Sequence, residues 1–269
     1  KYLDRTVAAY EKAKQLDGKD GRAHFRLGVA LRRRFESKER QPGDAQAAVA
    51  SWGEALSRDP NQYIWRRRIQ QYGPRLDKPY NFYFWVAEAR AGIRARGETP
   101  WPLPVEPMGS EIASRSRQSK ETLKGPNPDP EGQISRDSRN HVEIEAVVTP
   151  ARVRPGQRTR LRVHFRLNGK PSPHWSNESE PLLFFASLPG TLSVEEGEFE
   201  YPNPKLPTSD ETRVLELEIG VPADAKSGAI SVPAYSLYNI CEDDTGVCRY
   251  LRQDFHFTIH VDPKAPTLK

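Results

Sequence analysis

The sequence predicts a multidomain α plus β protein: a helical front half, a proline-rich linker and an antiparallel β-sandwich at the back. Three observations lead to this fold class. Apolar residues recur at helical spacing in residues 1–97, periodicity gives way to prolines in 98–139, and polar and apolar residues alternate from residue 140 onward. The predicted sandwich spans 140–262, and a short tail, 263–269, follows it.

Charge divides the chain in the same way. The 269 residues carry a net charge of +5, with 21 Lys and Arg against 11 Asp and Glu in residues 1–97 and 14 against 18 in residues 140–269. No apolar run approaches the roughly 18 to 20 residues of a membrane span, so we predict no transmembrane segment. Because the chain begins at Lys1 and its one methionine is Met108, we expect an upstream segment, such as a secretion signal, to have been removed.

The helical half contains an internal repeat. Tyr10, Ala13 and Asp17 match Trp52, Ala55 and Asp59 at an offset of 42. The pattern Leu-Gly-x-x-Leu, Ala-x-x-x-aromatic, Ala, Pro is met by Leu27, Gly28, Leu31, Ala48, Trp52, Ala55 and Pro60. It resembles a tetratricopeptide repeat, whose usual period is about 34 residues. The polar stretch 36–43 supplies the excess and is predicted to be an enlarged turn. Because one and a half repeats cannot bury a continuous core, we predict further helices at 62–72 and 80–96.

Three arginine clusters mark the helical half: Arg32 to Arg34, Arg66 to Arg68, and Arg90 with Arg94 and Arg96. Consecutive residues turn by about 100° around a helix, so these side chains fan out and do not form one phosphate-tracking line. The chain has no nucleic-acid recognition motif. We therefore predict solvated helix faces and no nucleic-acid partner, with an acidic protein or membrane surface as the alternative.

The middle segment, 98–139, is rich in proline and serine. This composition favours an extended or irregular chain that lies along a surface. Trp101 and Leu103 are the predicted contacts that pin it.

The back half shows strand periodicity. Residues 141–148, 158–166 and 212–220 alternate between polar and apolar without an interrupting proline. Turn signals, such as the Pro-Gly pairs at 155–156 and 189–190, separate the runs. About seven short strands with one solvated face are typical of an antiparallel sandwich.

Cys241 and Cys248 are the only cysteines, and they lie at the end of this predicted sandwich. Such a pair can close into one small ring or remain as two thiols. A ring of about eight residues would stabilise the fold by roughly 2.5 kcal/mol, so the bridge could be purely structural. The neighbours act in opposite directions, because Glu242, Asp243 and Asp244 disfavour a thiolate whereas Arg249 and Arg252 favour it.

A family resemblance adds a function. The motifs occur in the order His174-Trp-Ser-Asn-x-x-x-Pro181, Leu188-Pro-Gly, Gly197-Glu-Phe-Glu-Tyr201-Pro-x-Pro204, Ile219-x-Val-Pro222, and Tyr238-x-x-Cys241 with Cys248. This order resembles the immunoglobulin-like N-terminal domain of the thiol:disulfide interchange protein DsbD family and related periplasmic domains of bacterial envelopes. The resemblance implies an immunoglobulin-like sandwich in a periplasmic or otherwise exported protein.

The same resemblance implies the chemistry of the cysteine pair. Cys241 and Cys248 would cycle between disulfide and dithiol without a cofactor and exchange electrons with protein partners, thioredoxin-like or membrane-bound. The alternative is an envelope interaction or assembly subunit in which Cys241–Cys248 is a structural disulfide. In both cases the helical repeat would dock a protein partner.

Metal binding and hydrolysis find less support. The pattern Cys-x6-Cys-x7-His-x3-His ends at His256 and His260, but the cysteines of zinc fingers are two to four residues apart. Both histidines fall on the polar face of a predicted strand, so we expect them to be solvated and predict no metal. The chain lacks the nucleophile elbow, the zinc-protease pair and the phosphate-binding glycine loop.

Overall fold

The computed structural model describes residues 1–75, 84–101, 127–169, 173–242 and 247–266. The chain divides into two compact units, Lys1–Arg115 with Leu268–Lys269, and Ser116–Thr267. Each unit has a hydrophobic core of its own. Helices in the first unit and antiparallel sheets in the second make a mixed α plus β protein with a sandwich-like region, as the sequence predicts.

The first unit contains the helices. They are α1 (Tyr2–Leu16), α2 (Gly21–Phe35), α3 (Asp44–Arg58), α4 (Tyr63–Tyr72) and α5 (Phe84–Ala95). The turn between α2 and α3 covers residues 36–43, the polar stretch predicted to enlarge it. Helices α4 and α5 lie within the two further helices that the sequence predicts, although residues 76–83 are outside the described part. Assignment to the tetratricopeptide family stays a prediction.

Close packing of α2 on α3 explains the most specific residues of the repeat. Trp52 is 1% exposed, and its indole N–H donates to the backbone oxygen of Phe25 at 3.2 Å. A Cβ atom on Gly28 would lie 2.6 Å from Trp52 Cδ1 and 2.9 Å from the Ala48 carbonyl oxygen. Glycine is therefore needed where the two helices meet. Across the start of α3, the buried Arg34 donates to Asp44 at 2.6 and 3.0 Å.

The second unit contains two antiparallel sheets. Its strands are β1 (Val142–Thr149), β2 (Arg158–Leu167), β3 (His174–Ser176), β4 (Leu182–Ala186), β5 (Ser193–Gly197), β6 (Glu200–Tyr201), β7 (Thr208–Ser209), β8 (Arg213–Gly220), β9 (Gly228–Glu242) and β10 (Val247–Val261). One sheet has the order β1-β2-β8-β5, and the other has the order β6-β4-β9-β3-β7 with β10 paired to β9. The three alternating runs of the sequence become β1, β2 and β8.

Strand alternation fills the space between the sheets. Leu161, Val163 and Phe165 of β2 are at most 1% exposed, as are Leu215 and Leu217 of β8. The intervening β2 arginines meet β8 carboxylates, with Arg160 at 2.5 Å from Glu216 and Arg158 at 2.5 Å from Glu218. A period of two therefore divides these strands into an apolar core face and a charge-paired face. The more specific immunoglobulin-like assignment stays a prediction.

The end of the predicted linker, residues 127–139, packs on the β9–β10 hairpin. Arg252 of β10 donates to the carboxylate of Asp129 at 2.7 Å, and the backbone N–H of Asp129 donates to the Tyr235 hydroxyl at 3.2 Å. Trp101, at the other end of the linker, is 88% exposed, so the prediction that it pins the chain is wrong for this residue. Leu103 lies outside the described residues.

Candidate functional site

The two cysteines form a disulfide at the closed end of the β9–β10 hairpin. Cys241 and Cys248 occupy directly opposed positions in the strand register, next to the last pair of the hairpin, Glu242 and Val247. This pairing brings the sulfurs together without help from any other element. The turn residues Asp243 and Asp244, which the sequence places beside the pair, lie outside the described residues.

The two cysteines differ in their access to solvent. Cys241 is 5% exposed, whereas Cys248 is an exposed residue. A thiol from another molecule can therefore approach from the Cys248 side of the bridge. Cys248 is therefore the accessible cysteine of the bridge, and Cys241 is the protected one.

The disulfide lies on the sheet face that points away from the core between the sheets. Along β9 the core residues are Val232, Ala234, Tyr238 and Ile240, which occupy alternate positions. Cys241 follows Ile240 and therefore projects to the opposite side. Cys248, opposed to Cys241 in register, shares that outer face.

Glu242 projects to the other face and enters a polar network. Its carboxylate accepts from Arg139 at 3.0 Å, and it lies 3.2 Å from His141 Nε2 and 3.6 Å from Arg249. His141 Nδ1 is in turn 2.7 Å from Asp137. Because three basic side chains surround it, the negative charge of Glu242 is compensated on the side away from the sulfurs.

The arginines that the sequence places near the pair are held by other residues. Arg249 contacts Glu242, as described above. Arg252 lies four residues from Cys248, about 13 Å along the strand, and its guanidinium packs 3.7 Å from the centre of the Tyr235 ring. Burial opposes its charge, but hydrogen bonds to Asp129 and Asp254 hold the pKa of Arg252 above its usual range. Neither arginine is therefore placed beside a sulfur.

A residue that the sequence did not single out for chemistry lies beside the bridge instead. His174 of β3 is directly opposed to Cys241 of β9 in the strand register. In the sequence it is only the first residue of a family motif. The pairing of β3 with β9 is long-range, and no local pattern indicates it.

Metal ligation has no assembled site in the part of the chain that the structure describes. No group of three or more His, Cys, Asp or Glu side chains is gathered there. His256 and His260 are both exposed, on the polar face of β10, where the strand alternation places them.

The arginine clusters of the helical unit divide by position. Arg33 is exposed, while its neighbour Arg34 is buried against Asp44. The exposed positions along α2 are Arg22, Arg26, Val29 and Arg33. These follow spacings of four, three and four residues and so form one stripe. In the second cluster Arg66 is buried and contacts Glu88 at 2.5 Å. The prediction of solvated helix faces is therefore wrong for Arg34 and Arg66, which are buried against carboxylate partners. The outward members of the clusters give α2 a basic surface.

The helices in the described part of the chain include none that is long and apolar enough to cross a membrane.

Comparisons with known proteins give little further guidance. No protein-family model and no curated protein matches the chain. A chain of a type I cohesin–dockerin complex from Clostridium thermocellum is 12% identical and covers 44% of this chain and 99% of its own, with a TM-score of 0.30. The GAE domain of GGA2p from Saccharomyces cerevisiae is 16% identical over 47% of this chain and 96% of its own, with a TM-score of 0.26. A conjugative transposon lipoprotein from Bacteroides eggerthii is 19% identical over 43% of this chain and 96% of its own, with a TM-score of 0.20. Scores this low carry no argument about fold or function.

Proposed function

We propose that the Cys241–Cys248 pair is a thiol–disulfide exchange site in an exported, periplasmic protein. The observation that carries this proposal is the unequal exposure of the two cysteines in one bridge, with Cys248 exposed and Cys241 buried. A structural bridge works equally well with both sulfurs buried, whereas exchange requires that one sulfur be reachable. An oxidising compartment outside the cytoplasm is where such a bridge persists.

The exchange proceeds in two balanced steps. A thiolate of a partner dithiol attacks Cys248 Sγ, a partner–Cys248 disulfide forms, and Cys241 leaves with the electron pair of the broken bond as a thiolate. The second partner thiol, once deprotonated, then attacks the partner sulfur that is bonded to Cys248, so that the partner's own disulfide forms and Cys248 leaves as a thiolate. Two electrons pass to the pair, and the partner becomes a disulfide. The partner is a protein dithiol, thioredoxin-like or membrane-bound.

The helical unit is proposed to dock that partner. Its exposed stripe of Arg22, Arg26, Val29 and Arg33 combines positive charge with one apolar position. Such a surface suits an acidic protein, whose approach it would accelerate at low salt.

The second candidate is a non-enzymatic envelope interaction protein in which the disulfide is a staple. Its supporting observation is the position of the bridge, which joins two strands that pair over fifteen residues each. In that case the bridge limits fraying at the end of the hairpin, and both units serve as binding surfaces.

The reduction potential of the pair separates the two candidates. The full chain is equilibrated in glutathione redox buffers, and the free thiols are counted after alkylation. We expect a potential above about −300 mV, because structural bridges lie below that value. A value below it supports the staple and contradicts exchange.

Single-cysteine variants test the order of attack. Cys241→Ser leaves the exposed Cys248 and is expected to trap a mixed disulfide with a thioredoxin-like protein. Cys248→Ser leaves the buried Cys241 and is the matched control, expected to trap little. Equal trapping by both variants would contradict the assignment of Cys248 as the entry sulfur.

A further inference from the structure

We propose that the imidazole of His174 stabilises Cys241 when this residue leaves the disulfide as a thiolate. This inference rests on the exchange function proposed above and assigns a role to a residue outside the cysteine pair. It concerns the protected sulfur, whose release determines whether attack at Cys248 succeeds.

The strand register places three residues in one row across the sheet. Cys248 of β10 is opposed to Cys241 of β9, and Cys241 is opposed to His174 of β3. Directly opposed residues on antiparallel strands project to the same face, with Cβ atoms about 4.5–5.5 Å apart. The His174 side chain therefore starts from the strand position next to Cys241, on the side opposite Cys248.

Trp175 determines which way His174 points. The Trp175 side chain is fully buried in the sandwich core, and its indole N–H donates to the backbone oxygen of Glu211 at 2.8 Å. The guanidinium of Arg213 lies 4.5 Å from its ring centre. Because successive strand residues point to opposite faces, the buried Trp175 directs His174 to the outer face that carries the disulfide.

Among the described residues of β9 and β10, the other polar side chains of this face do not replace His174. On β10, Tyr250 shares the outer face, and burial together with the carboxylate of Glu180 raises its pKa, so it stays neutral. Asn239 of β9 is neutral and donates to the backbone oxygen of Glu180 at 3.0 Å. Arg252, on the same face, donates to Asp129 and Asp254.

The groups around Glu242 belong to the opposite face. Arg139, His141 and Arg249 surround its carboxylate there. Consequently, the basic side chain in register with the leaving sulfur is His174.

The proposed step changes the charge at one atom. When a partner thiolate attacks Cys248 Sγ, the Cys241 sulfur receives the electron pair and becomes negative. A protonated imidazole next to it lowers the energy of that anion by direct attraction, and it can also supply the proton that makes a thiol. The disulfide itself carries no charge, so His174 favours the reduced state and the transition state that leads to it.

Thiolate absorbance tests the interaction directly. In full-length protein carrying Cys248→Ser, Cys241 is the one thiol, and its absorbance at 240 nm is followed between pH 5 and 9.5. Adding His174→Gln is expected to raise the midpoint by about one pH unit, which reduces the thiolate fraction near neutral pH up to tenfold. His256→Gln, on an exposed histidine of β10, is the matched control and should leave the midpoint unchanged. Equal midpoints with and without His174 would overturn the inference.

Reduction kinetics give a second measurement in protein with both cysteines. The rate at which dithiothreitol reduces the bridge is expected to fall about five- to tenfold at pH 7 in His174→Gln, while His256→Gln keeps the original rate. His174→Asn provides a second substitution in case the first impairs folding, with far-UV circular dichroism as the check. A rate that His174 substitution does not alter contradicts the inference.

The two proposals can fail separately. A mixed disulfide trapped at Cys248 together with an unchanged Cys241 midpoint would retain exchange and reject the role of His174. A shifted midpoint together with a potential below that of exchanging bridges would retain the His174–Cys241 interaction and reject exchange.

Discussion

Arg213 shows how a single charged residue can belong to a core. Its side chain is 2% exposed, and its guanidinium lies over the rings of Trp175 and Tyr201, at 4.5 and 5.1 Å from their centres. It also donates to Glu211 at 3.0 Å and Asn203 at 3.3 Å. Cation–π contacts and fixed hydrogen bonds together compensate for its removal from water.

Replacing Arg213 should therefore be costly. We expect Arg213→Met to lower the free energy of unfolding of the β unit by about 3 kcal/mol, because Glu211 and Asn203 lose a charged hydrogen-bond donor and the buried Trp175 loses its cation–π contact. Urea denaturation followed by near-ultraviolet circular dichroism measures this loss. Arg152→Met is the control, since Arg152 is 71% exposed and should cost less than about 0.5 kcal/mol. A similar small loss for both variants would show that the packing of Arg213 is not stabilising.

At the scale of elements, the helical unit depends on how closely α2 and α3 approach. The contact of Gly28 with Trp52 and the pair of Arg34 with Asp44 lie at separate points of the same interface. The first contact requires a residue without a side chain at position 28, and the second is a buried ion pair. The interface is therefore specified by shape as well as by charge.

Gly28→Val should separate the two helices. Its side chain would meet the Trp52 ring and the Ala48 carbonyl, and overpacking of this kind costs about 1–3 kcal/mol. The loss is measured as a lower urea midpoint of the helical signal at 222 nm. Gly18→Ala is the control, because a Cβ there makes an ordinary 3.6 Å contact with Lys14. An unchanged midpoint in Gly28→Val would mean that α2 can shift without loss.

At the scale of the whole molecule, titrating groups limit stability on both sides of neutral pH. Burial alone would raise the pKa of Asp129 and Glu216, but arginine partners, Arg252 in the first case, hold both values below the usual range. Burial and the nearby Asp137 carboxylate raise the pKa of Tyr238 above its usual range. In the folded state, Asp129 and Glu216 therefore lose their protons at a lower pH than in the unfolded chain, and Tyr238 loses its proton at a higher pH.

The directions of these pKa shifts predict that stability is constant over a range of pH around neutrality. Carboxylates with lowered values contribute stability above about pH 4, and this contribution is lost as the pH falls through their folded values. Tyr238 contributes below about pH 10, and its contribution is lost as the pH rises from there towards the folded value. Urea midpoints between pH 3 and 11 should be flat from about 5 to 9 and fall on either side. Tyr238→Phe should flatten the alkaline decrease and Asp129→Asn the acid one; unchanged slopes would contradict these assignments.

Local patterns predict much of this fold. The alternation in 158–166 and 212–220 predicts the bounds of β2 and β8 accurately, because a strand with one solvated and one buried face alternates polar and apolar residues. The helix pair around Gly28 and Trp52 is equally visible, since both residues are required by one close contact. The excess of polar residues in 36–43 likewise corresponds to a turn.

Contacts between distant segments leave no such trace. The cysteine pair could be chosen from the sequence, but the register of β3 with β9, which places His174 beside Cys241, could not. The same holds for the contacts that occupy Glu242 and Arg252, because their partners Arg139 and Asp129 come from the segment before β1. For this reason the charged residues near the cysteines could be identified from the sequence, but their relative distances from the sulfurs could not.

Trp175 gives the β unit a built-in optical reporter. It is the one tryptophan in residues 127–266, and its buried ring is held in a fixed orientation. It is opposed to Ile240, the residue before Cys241, so a change of charge or bonding at the bridge occurs close to the indole. The intrinsic emission of the protein should therefore change as electrons enter or leave the pair, and the oxidation state can be followed in real time without attaching a dye.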